Sequence, residues 1–268
     1  MKRGPAPAKI NLALVVGPQR DDGLHELVTV YQRIALSDRL VVERAPATSV
    51  AGFREDTLVR RALELAADGL AFSARITKRI PVAAGLGGGS SDAATALRLA
   101  NALRDEPLSD ADLHATARSL GADVPYFLVD GPQLGTGDGT ELSPLDLPQD
   151  YWIVLVVPKG ATKSSTADVY GAFDAGRGDQ GYEGRREMLL AALERVRRPR
   201  DLAALPLNDL ASSPLADELL QLGAFRADVT GAGPAVYGLF LHGEHARAAQ
   251  QQMASRGRTW LTAPAWYR

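Results

Sequence analysis

Apolar residues recur along this chain in two patterns, and each predicts a different kind of element. Short apolar runs, many of them rich in β-branched and aromatic residues, are typical of strands; they lie at 10–16, 31–42, 74–80, 124–129, 151–157, 226–230 and 235–241. Apolar positions spaced three or four residues apart predict helices, at 55–70, 90–103, 109–121, 188–196 and 244–256, with two more beginning near Ser165 and Ser213. This mixture of elements favours an α+β fold.

Local signals indicate where some of these elements end. Ser109 is followed three residues later by Asp112, a pair that resembles a capping box, and Gly121 is a natural residue to end the helix. A stretch rich in Gly, Pro and polar residues at 131–150 then interrupts the pattern. We therefore expect two α+β domains, 1–150 and 151–268. The glycine-dense segment 174–184 is expected to be a mobile loop.

Composition excludes several classes of function. The chain has 30 Lys and Arg against 32 Asp and Glu, so bulk charge would not bind nucleic acid. It has no Cys, which excludes disulfides, thiolate metal sites and a Cys nucleophile, and fits a cytoplasmic protein. The apolar segment 10–16 is interrupted by Asn11 and is too short to cross a membrane. The pair His242 and His245 is typical of a turn between a strand and a helix, so no metal site formed by side chains alone is predicted.

The most informative segment is a glycine-rich loop before a predicted helix. Four of the five residues from Gly85 to Gly89 are Gly, and Ser90 and Ser91 follow. Glycines let backbone N–H groups approach an anion closely, and the start of a helix offers further free N–H groups. No Lys follows the glycines, as a Walker A loop requires, and Ser90 stands where a dinucleotide-binding loop has its third Gly. The loop predicts a phosphate site; the alternative is a flexible turn before an ordinary helix.

The loop, PVAAGLGGGSS at 81–91, resembles the ATP-binding motif of the GHMP kinase superfamily. Four other segments resemble motifs of one kinase family within this superfamily, in the same order: APAKINL at 6–12, GADVP at 121–125, NDL at 208–210 and TGAGP at 230–234. The resemblance implies a two-lobed fold, with an N-terminal lobe like domain 2 of ribosomal protein S5 and a ferredoxin-like C-terminal lobe. It also implies ATP and Mg²⁺ as cofactors. The residues that would bind ATP are Pro81, Val82, Ala83, Ala84, Gly85, Leu86, Gly87, Gly88, Gly89, Ser90 and Ser91.

Two charged residues become candidate catalytic residues through the same resemblance. Taken alone, Asp123 would more often cap a turn, and Lys9 would be a lysine at the edge of a strand with its amine in water. The resemblance implies instead that Asp123 accepts or orients the proton of the attacking hydroxyl. Lys9 would keep Asp123 ionised and stabilise negative charge during transfer. Such an electrostatic pair suits phosphoryl transfer, which depends on positioning and charge.

The resemblance further implies the acceptor, which composition and spacing do not identify. It is strongest to the members that phosphorylate the 2-hydroxyl of 4-diphosphocytidyl-2-C-methyl-D-erythritol, in the non-mevalonate route to isoprenoids. By that match His25 contacts the cytosine, Tyr31 and Tyr170 stack on it, and Asn11 lines the acceptor site beside Lys9. Without the resemblance, the two tyrosines would be ordinary half-buried residues and His25 a loop residue.

Two positions depart from the pattern of those kinases. Leu24 stands where they usually have an aromatic residue before the histidine, so how the base is stacked is open; Thr57 stands where an Asn lies near adenine. The alternatives are a GHMP kinase for homoserine, mevalonate or a sugar, and a nucleotide-binding protein without catalysis. The partner is expected to be a small molecule, with no nucleic acid or membrane, and the protein a monomer or homodimer.

Overall fold

The computed structural model describes residues 1–53, 57–160 and 165–265, which form two sheets flanked by helices. The strands are β1 (Lys2–Gln19), β2 (His25–Arg44), β3 (Ser49–Ala51), β4 (Phe72–Thr77), β5 (Gln133–Thr136), β6 (Glu141–Pro144), β7 (Trp152–Pro158), β8 (Arg226–Val229), β9 (Val236–Phe240) and β10 (Gly257–Thr262). The helices are α1 (Thr57–Leu65), α2 (Gly88–Asn101), α3 (Asp110–Leu120), α4 (Thr166–Ala175), α5 (Tyr182–Leu193), α6 (Pro214–Gln221) and α7 (Gly243–Met253). Two short 3-10 helices lie at Pro125–Leu128 and Pro199–Ala204. The predicted α+β class is confirmed.

The first sheet has the strand order β3-β4-β2-β5-β6, and β1 pairs with β2 along most of its length. The second sheet has the order β10-β7-β9-β8, and all its pairs are antiparallel. The second sheet begins at Trp152, close to the predicted domain boundary, which itself stays a prediction. Among the described residues, no helix is long and apolar enough to span a bilayer.

Strand β1 lies in the middle of the molecule and is buried from residue 6 to residue 17. Successive side chains of a strand point to opposite faces. Ala8, Ile10 and Leu12 pack in a core cluster that also contains Ile153 and Tyr237 of the second sheet. The intervening Lys9 and Asn11 line a cleft instead. Burial between two lobes thus explains why β1 is almost continuously apolar from residue 6 to residue 17, where Lys9 and Asn11 are the polar residues.

Helix ends follow the sequence signals closely. Ser109 Oγ accepts a hydrogen bond from Asp112 N at 3.2 Å, and α3 ends before Gly121, as predicted. Ser165 and Ser213 cap α4 and α6 in the same way.

Several predicted elements differ from the structure. The strand predicted at 124–129 is wrong: a 3-10 helix lies there, since Pro125 has no N–H to donate to a sheet and Val124 has helical dihedrals. The segment 131–150, expected to be loop, contains the β5–β6 hairpin, and β3 and β10 had no recognised signal. The predicted loop 174–184 includes the end of α4 and the start of α5, which begins six residues before the predicted 188. Residues 55 and 56 of the first predicted helix lie outside the described part.

Candidate active site

A cleft of about 1000 Å³ opens between the lobes. Its walls come from β1, β2, the loop before α2, α4 and the turn at 231–233. It brings together nearly all of the predicted site residues: Lys9, Asn11, His25, Tyr31, Asp123, Tyr170 and the loop from Pro81 to Ser90. Ser91 is fully buried behind this wall. The topology therefore collects into one space residues that are more than 160 positions apart in the chain.

Two glycines of the loop have a steric reason to be glycine. Gly87 has φ +66°, and a Cβ there would lie 2.9 Å from Phe127 Cζ and 3.0 Å from Lys9 Cγ. Gly85 has φ +79°, and a Cβ there would lie 2.3 Å from the carbonyl oxygen of Thr230. A side chain is disfavoured at both positions by backbone conformation and by space. The loop is thus packed tightly against β1 on one side and the turn after β8 on the other.

The start of α2 is suited to bind an anion. Its N-cap residue is Gly87, which has no side chain to accept from the first N–H groups of the helix. These groups and the positive end of the helix dipole face the cleft at Gly88, Gly89 and Ser90. The hydroxyl of Ser91 is buried without a hydrogen-bond partner among the described residues.

The two candidate catalytic residues lie next to each other. Lys9 Nζ is 3.7 Å from Asp123 Oδ2, although Lys9 is only 4% exposed. The amine also donates to Asn11 Oδ1 at 2.6 Å, and Asn11 Nδ2 donates to Thr29 Oγ1 at 2.7 Å. Asn11 therefore orients the lysine, and the buried amine is compensated by one carbonyl oxygen and one carboxylate.

Asp123 is partly open to the cleft and touches a second strand as well. Its side chain is 34% exposed, and its Oδ1 accepts a hydrogen bond from the Tyr31 hydroxyl at 3.2 Å. The ring of Tyr31 stacks on Tyr126, with centroids 4.6 Å apart and planes 25° apart. Burial, reinforced by the charge of Asp123, raises the pKa of Tyr31 well above its usual value.

A second group of residues lies in another part of the cleft, around His25. Its ring centroid is 4.8 Å from that of Tyr170 and 6.0 Å from that of Phe173. His25 Nε2 is 2.7 Å from Asp174 Oδ1, a contact that no sequence motif indicated. Leu24 lines the cleft beside it and is 48% exposed. The side chain of Thr57, predicted near adenine, lies outside the described residues.

Lys78 is a cleft residue that the sequence analysis missed. Its Nζ lies 2.5 Å from Asp38 Oδ2 and 2.7 Å from Asp92 Oδ2, and both carboxylates are fully buried. Burial alone would lower the pKa of Lys78, but the two carboxylates outweigh it and raise this pKa. Because Asp92 belongs to α2, the lysine ties the phosphate-binding end of that helix to β2. The sequence signal that could have indicated this ion pair was Asp38, a charged residue within the apolar strand predicted at 31–42.

The turn after β8 forms another wall of the cleft and packs against the glycine-rich loop. Thr230 Oγ1 accepts from Asn11 N at 3.0 Å, and Ala235 N donates to Ala84 O at 3.1 Å. Asn208 Nδ2 donates to Gly231 O at 2.7 Å. The 230–234 turn therefore lines the site and contacts both β1 and the loop.

The fold, the loop and the lysine–aspartate pair define a class of small-molecule kinase. Residues 57–131 match the sequence model of the GHMP kinases N terminal domain, and residues 201–259 match that of the GHMP kinases C terminal domain. A crystal structure of mevalonate kinase covers 98% of this chain and 99% of its own with a TM-score of 0.74 at 12% identity, so it is similar in fold alone. The predicted GHMP kinase fold is confirmed, and the chain is an ATP-dependent small-molecule kinase.

Relatives with higher sequence identity show which family within this class the chain belongs to. The 4-diphosphocytidyl-2-C-methyl-D-erythritol kinase of Moorella thermoacetica is 40% identical over 263 residues, covering 91% of each chain. The kinase of the same name from Chlorobium phaeovibrioides is 38% identical, covering 92% of this chain and 89% of the relative. A crystal structure of 4-(cytidine 5'-diphospho)-2C-methyl-D-erythritol kinase has a TM-score of 0.79 at 33% identity, covering 99% of this chain and 100% of that one. The chain belongs to the 4-diphosphocytidyl-2-C-methyl-D-erythritol kinase family.

Proposed function

We propose that this protein transfers the γ-phosphoryl group of ATP to the 2-hydroxyl of 4-diphosphocytidyl-2-C-methyl-D-erythritol, in the cytoplasm and in the non-mevalonate route to isoprenoids. The observation that carries the proposal is the pair Lys9 and Asp123, 3.7 Å apart in the same cleft as the glycine-rich loop. A general base and a cation beside a phosphate site are what transfer to an alcohol requires.

In the proposed reaction the acceptor oxygen attacks the γ-phosphorus of ATP. A new O–P bond forms, the bond between the γ-phosphorus and the bridging oxygen breaks, and ADP leaves. The proton of the hydroxyl passes to the carboxylate of Asp123, whose exposed part faces the cleft. Lys9 stabilises the negative charge on the reacting oxygens, and the contact with Asn11 holds its amine in place.

The glycine-rich loop and the start of α2 would hold the phosphates through N–H groups. The ATP-binding residues proposed are Pro81 to Ser91, as the sequence predicts; Pro81 has no N–H and Ser91 N donates to Gly87 O, so these two residues would contribute shape or a hydroxyl instead of an N–H group. Among the described residues, no group of three or more His, Cys, Asp or Glu side chains could hold a metal ion by itself. A Mg²⁺ ion would therefore depend on phosphate oxygens, with the hydroxyl of Ser90 at the cleft wall and that of Ser91 buried behind it. When bound, it would neutralise charge on the phosphates.

The cytidine end of the acceptor would lie in the part of the cleft around His25. His25 and Tyr170 offer an imidazole and an aromatic ring within 4.8 Å of each other, which suits a planar base. Leu24 is exposed at this place and can contribute only an apolar contact where an aromatic ring would stack. Stacking by Tyr31 stays a prediction, as does the choice between monomer and homodimer.

A turnover assay with three acceptors tests the proposal. The purified protein is incubated with ATP and Mg²⁺ and either 4-diphosphocytidyl-2-C-methyl-D-erythritol, mevalonate or homoserine, and ADP formation is measured. We expect kcat/KM for the cytidylyl acceptor to exceed the others by at least a hundredfold. Similar rates with all three acceptors would contradict the assigned substrate, and no turnover with any would favour a nucleotide-binding protein without catalysis.

The catalytic roles need a separate variant. Asp123→Asn keeps the size of the side chain and removes the base, so we expect most turnover to be lost while ATP still binds. Binding is measured by calorimetry with ATP and Mg²⁺. An Asp123→Asn protein with nearly normal kcat would contradict the role of Asp123 as the base.

A further inference from the structure

We propose that Tyr31 is a positioning residue for Asp123: its hydroxyl holds one carboxylate oxygen so that the other is presented to the acceptor. The inference rests on the proposed function, because it takes Asp123 as the base. The observation is the hydrogen bond from the Tyr31 hydroxyl to Asp123 Oδ1 at 3.2 Å. Neither the motif around Asp123 nor the strand that contains Tyr31 indicated that the two meet.

The position of the Tyr31 ring is tightly determined. The residue is 3% exposed, and one face of its ring stacks on Tyr126. Two glycines make room for it: a Cβ on Gly135 would lie 2.7 Å from Tyr31 Cε2, and a Cβ on Gly139 would lie 2.8 Å from the hydroxyl. A ring confined in this way keeps its hydroxyl at one place, so that the hydrogen bond restricts the carboxylate rather than following it.

The two carboxylate oxygens of Asp123 therefore have different surroundings. Oδ1 is bonded to Tyr31, whereas Oδ2 faces Lys9 at 3.7 Å, and the side chain is one-third exposed to the cleft. Oδ2 is thus the oxygen left to take a proton from the acceptor. Holding a base in a productive orientation lowers the barrier without adding a chemical group.

Tyr31 is also suited to remain a donor. Burial and the neighbouring Asp123 raise its pKa well above the usual value for tyrosine, so the hydroxyl keeps its proton across the working pH range. The titratable groups that face Asp123 are Lys9 from β1, Tyr31 from β2, Tyr126 from the 3-10 helix and Tyr170 from α4. Of these, the Tyr31 hydroxyl is a neutral donor within hydrogen-bond distance of the carboxylate.

Tyr31→Phe isolates the hydroxyl. The variant keeps the ring, and hence its packing and any stacking on a base, and it removes only the donor. We expect kcat to fall about tenfold, the typical effect of one hydrogen bond to a charged group, with KM for ATP and for the acceptor unchanged within about twofold.

Tyr126→Phe is the matched control, because the Tyr126 hydroxyl is buried in the same ring pair and has no hydrogen-bond partner among the described residues. It should leave kcat as in the unmodified protein. A Tyr31→Phe protein with unchanged kcat would overturn the inference, and so would a loss confined to KM. Asp123→Asn is measured alongside. If Asp123→Asn is inactive while Tyr31→Phe has normal activity, only the inference about Tyr31 fails. If Asp123→Asn is active, the proposed role of Asp123 as the base fails as well.

Discussion

Asn208 donates a hydrogen bond from Nδ2 to the carbonyl oxygen of Gly231, at 2.7 Å. The same amide donates to Val229 O at 3.0 Å, and its Oδ1 accepts from Leu210 N at 2.9 Å. Gly231 lies against the catalytic side of the cleft, since a Cβ there would be 3.6 Å from Lys9 Nζ. One buried side chain thus fixes the turn that faces Lys9 and the glycine-rich loop.

We expect Asn208→Asp to reduce activity strongly. The change replaces a donor by a carboxylate that would face two carbonyl oxygens, so the 230–234 turn should shift away from the loop. We expect kcat/KM for ATP to fall at least tenfold in steady-state kinetics. Asp209→Asn is the control: Asp209 contacts Val16 N and Arg185 instead of the turn, so it should change stability more than kinetics. Equal kinetic losses in both variants would contradict a specific role of Asn208.

Gly85→Ala should be much more damaging than Gly69→Ala. The two glycines have nearly the same positive φ, +79° and +78°, so both variants bear the cost of placing Ala at a positive φ, about 1 kcal/mol. Around Gly69 nothing lies within 4 Å of the new Cβ, whereas at Gly85 it would meet Thr230 O at 2.3 Å. Urea unfolding of both proteins measures the difference, and equal losses of stability would mean that the contact with Thr230 can relax.

Lys78→Met should destabilise the fold by about 3–5 kcal/mol. The amine lies between two fully buried carboxylates, Asp38 and Asp92, which would then lose the cation that lies between them. Adding Asp92→Asn should recover part of the loss, because one of the two charges is removed. Arg186→Met is the control, since its ion pair with Glu183 is exposed and should contribute less than about 1 kcal/mol. Urea unfolding midpoints are measured for the unmodified protein and the three variants. If the double variant is no more stable than Lys78→Met, the explanation by charge is contradicted.

Asp228 should make stability depend on pH. Burial raises the pKa of Asp228 to about 6, although Arg226 and two backbone N–H groups counteract it. The unfolded chain loses this proton near pH 4, so the group stabilises the fold most below pH 4, and its contribution falls as the pH rises from about 4 to about 6. The free energy of unfolding relative to Asp228→Asn should follow that slope in urea titrations. A difference in the free energy of unfolding that grows with pH would mean that the charge of Arg226 outweighs burial and lowers the pKa of Asp228.

The short-range features of this protein were predictable because they depend on neighbouring residues. Ser109 and Gly121 delimit α3, and Ser213 with Pro214 begins α6, since capping is decided by residues within one turn. The glycine-rich loop indicated a phosphate site because few other functions require so many glycines before a helix. By contrast, the apolar run 124–129 has the composition of a strand, but Pro125 cannot donate to a sheet, and the structure places a 3-10 helix there with Tyr126 stacked on Tyr31.

The sequence by itself determined the class of fold and the family, and through the resemblance it predicted that Lys9 acts with Asp123, but it gave no indication of Lys78 or Asp174 in the cleft. Only the tertiary structure decided the distance between Lys9 and Asp123, the hydrogen bond of the Tyr31 hydroxyl to Asp123, the contact of His25 with Asp174, and the position of Lys78 between two aspartates. These pairs are separated by up to 149 residues, and no local pattern encodes a contact across that distance. Lys9 reaches Asp123 because β1 is buried between two lobes and the side chain of Lys9 lies in the cleft.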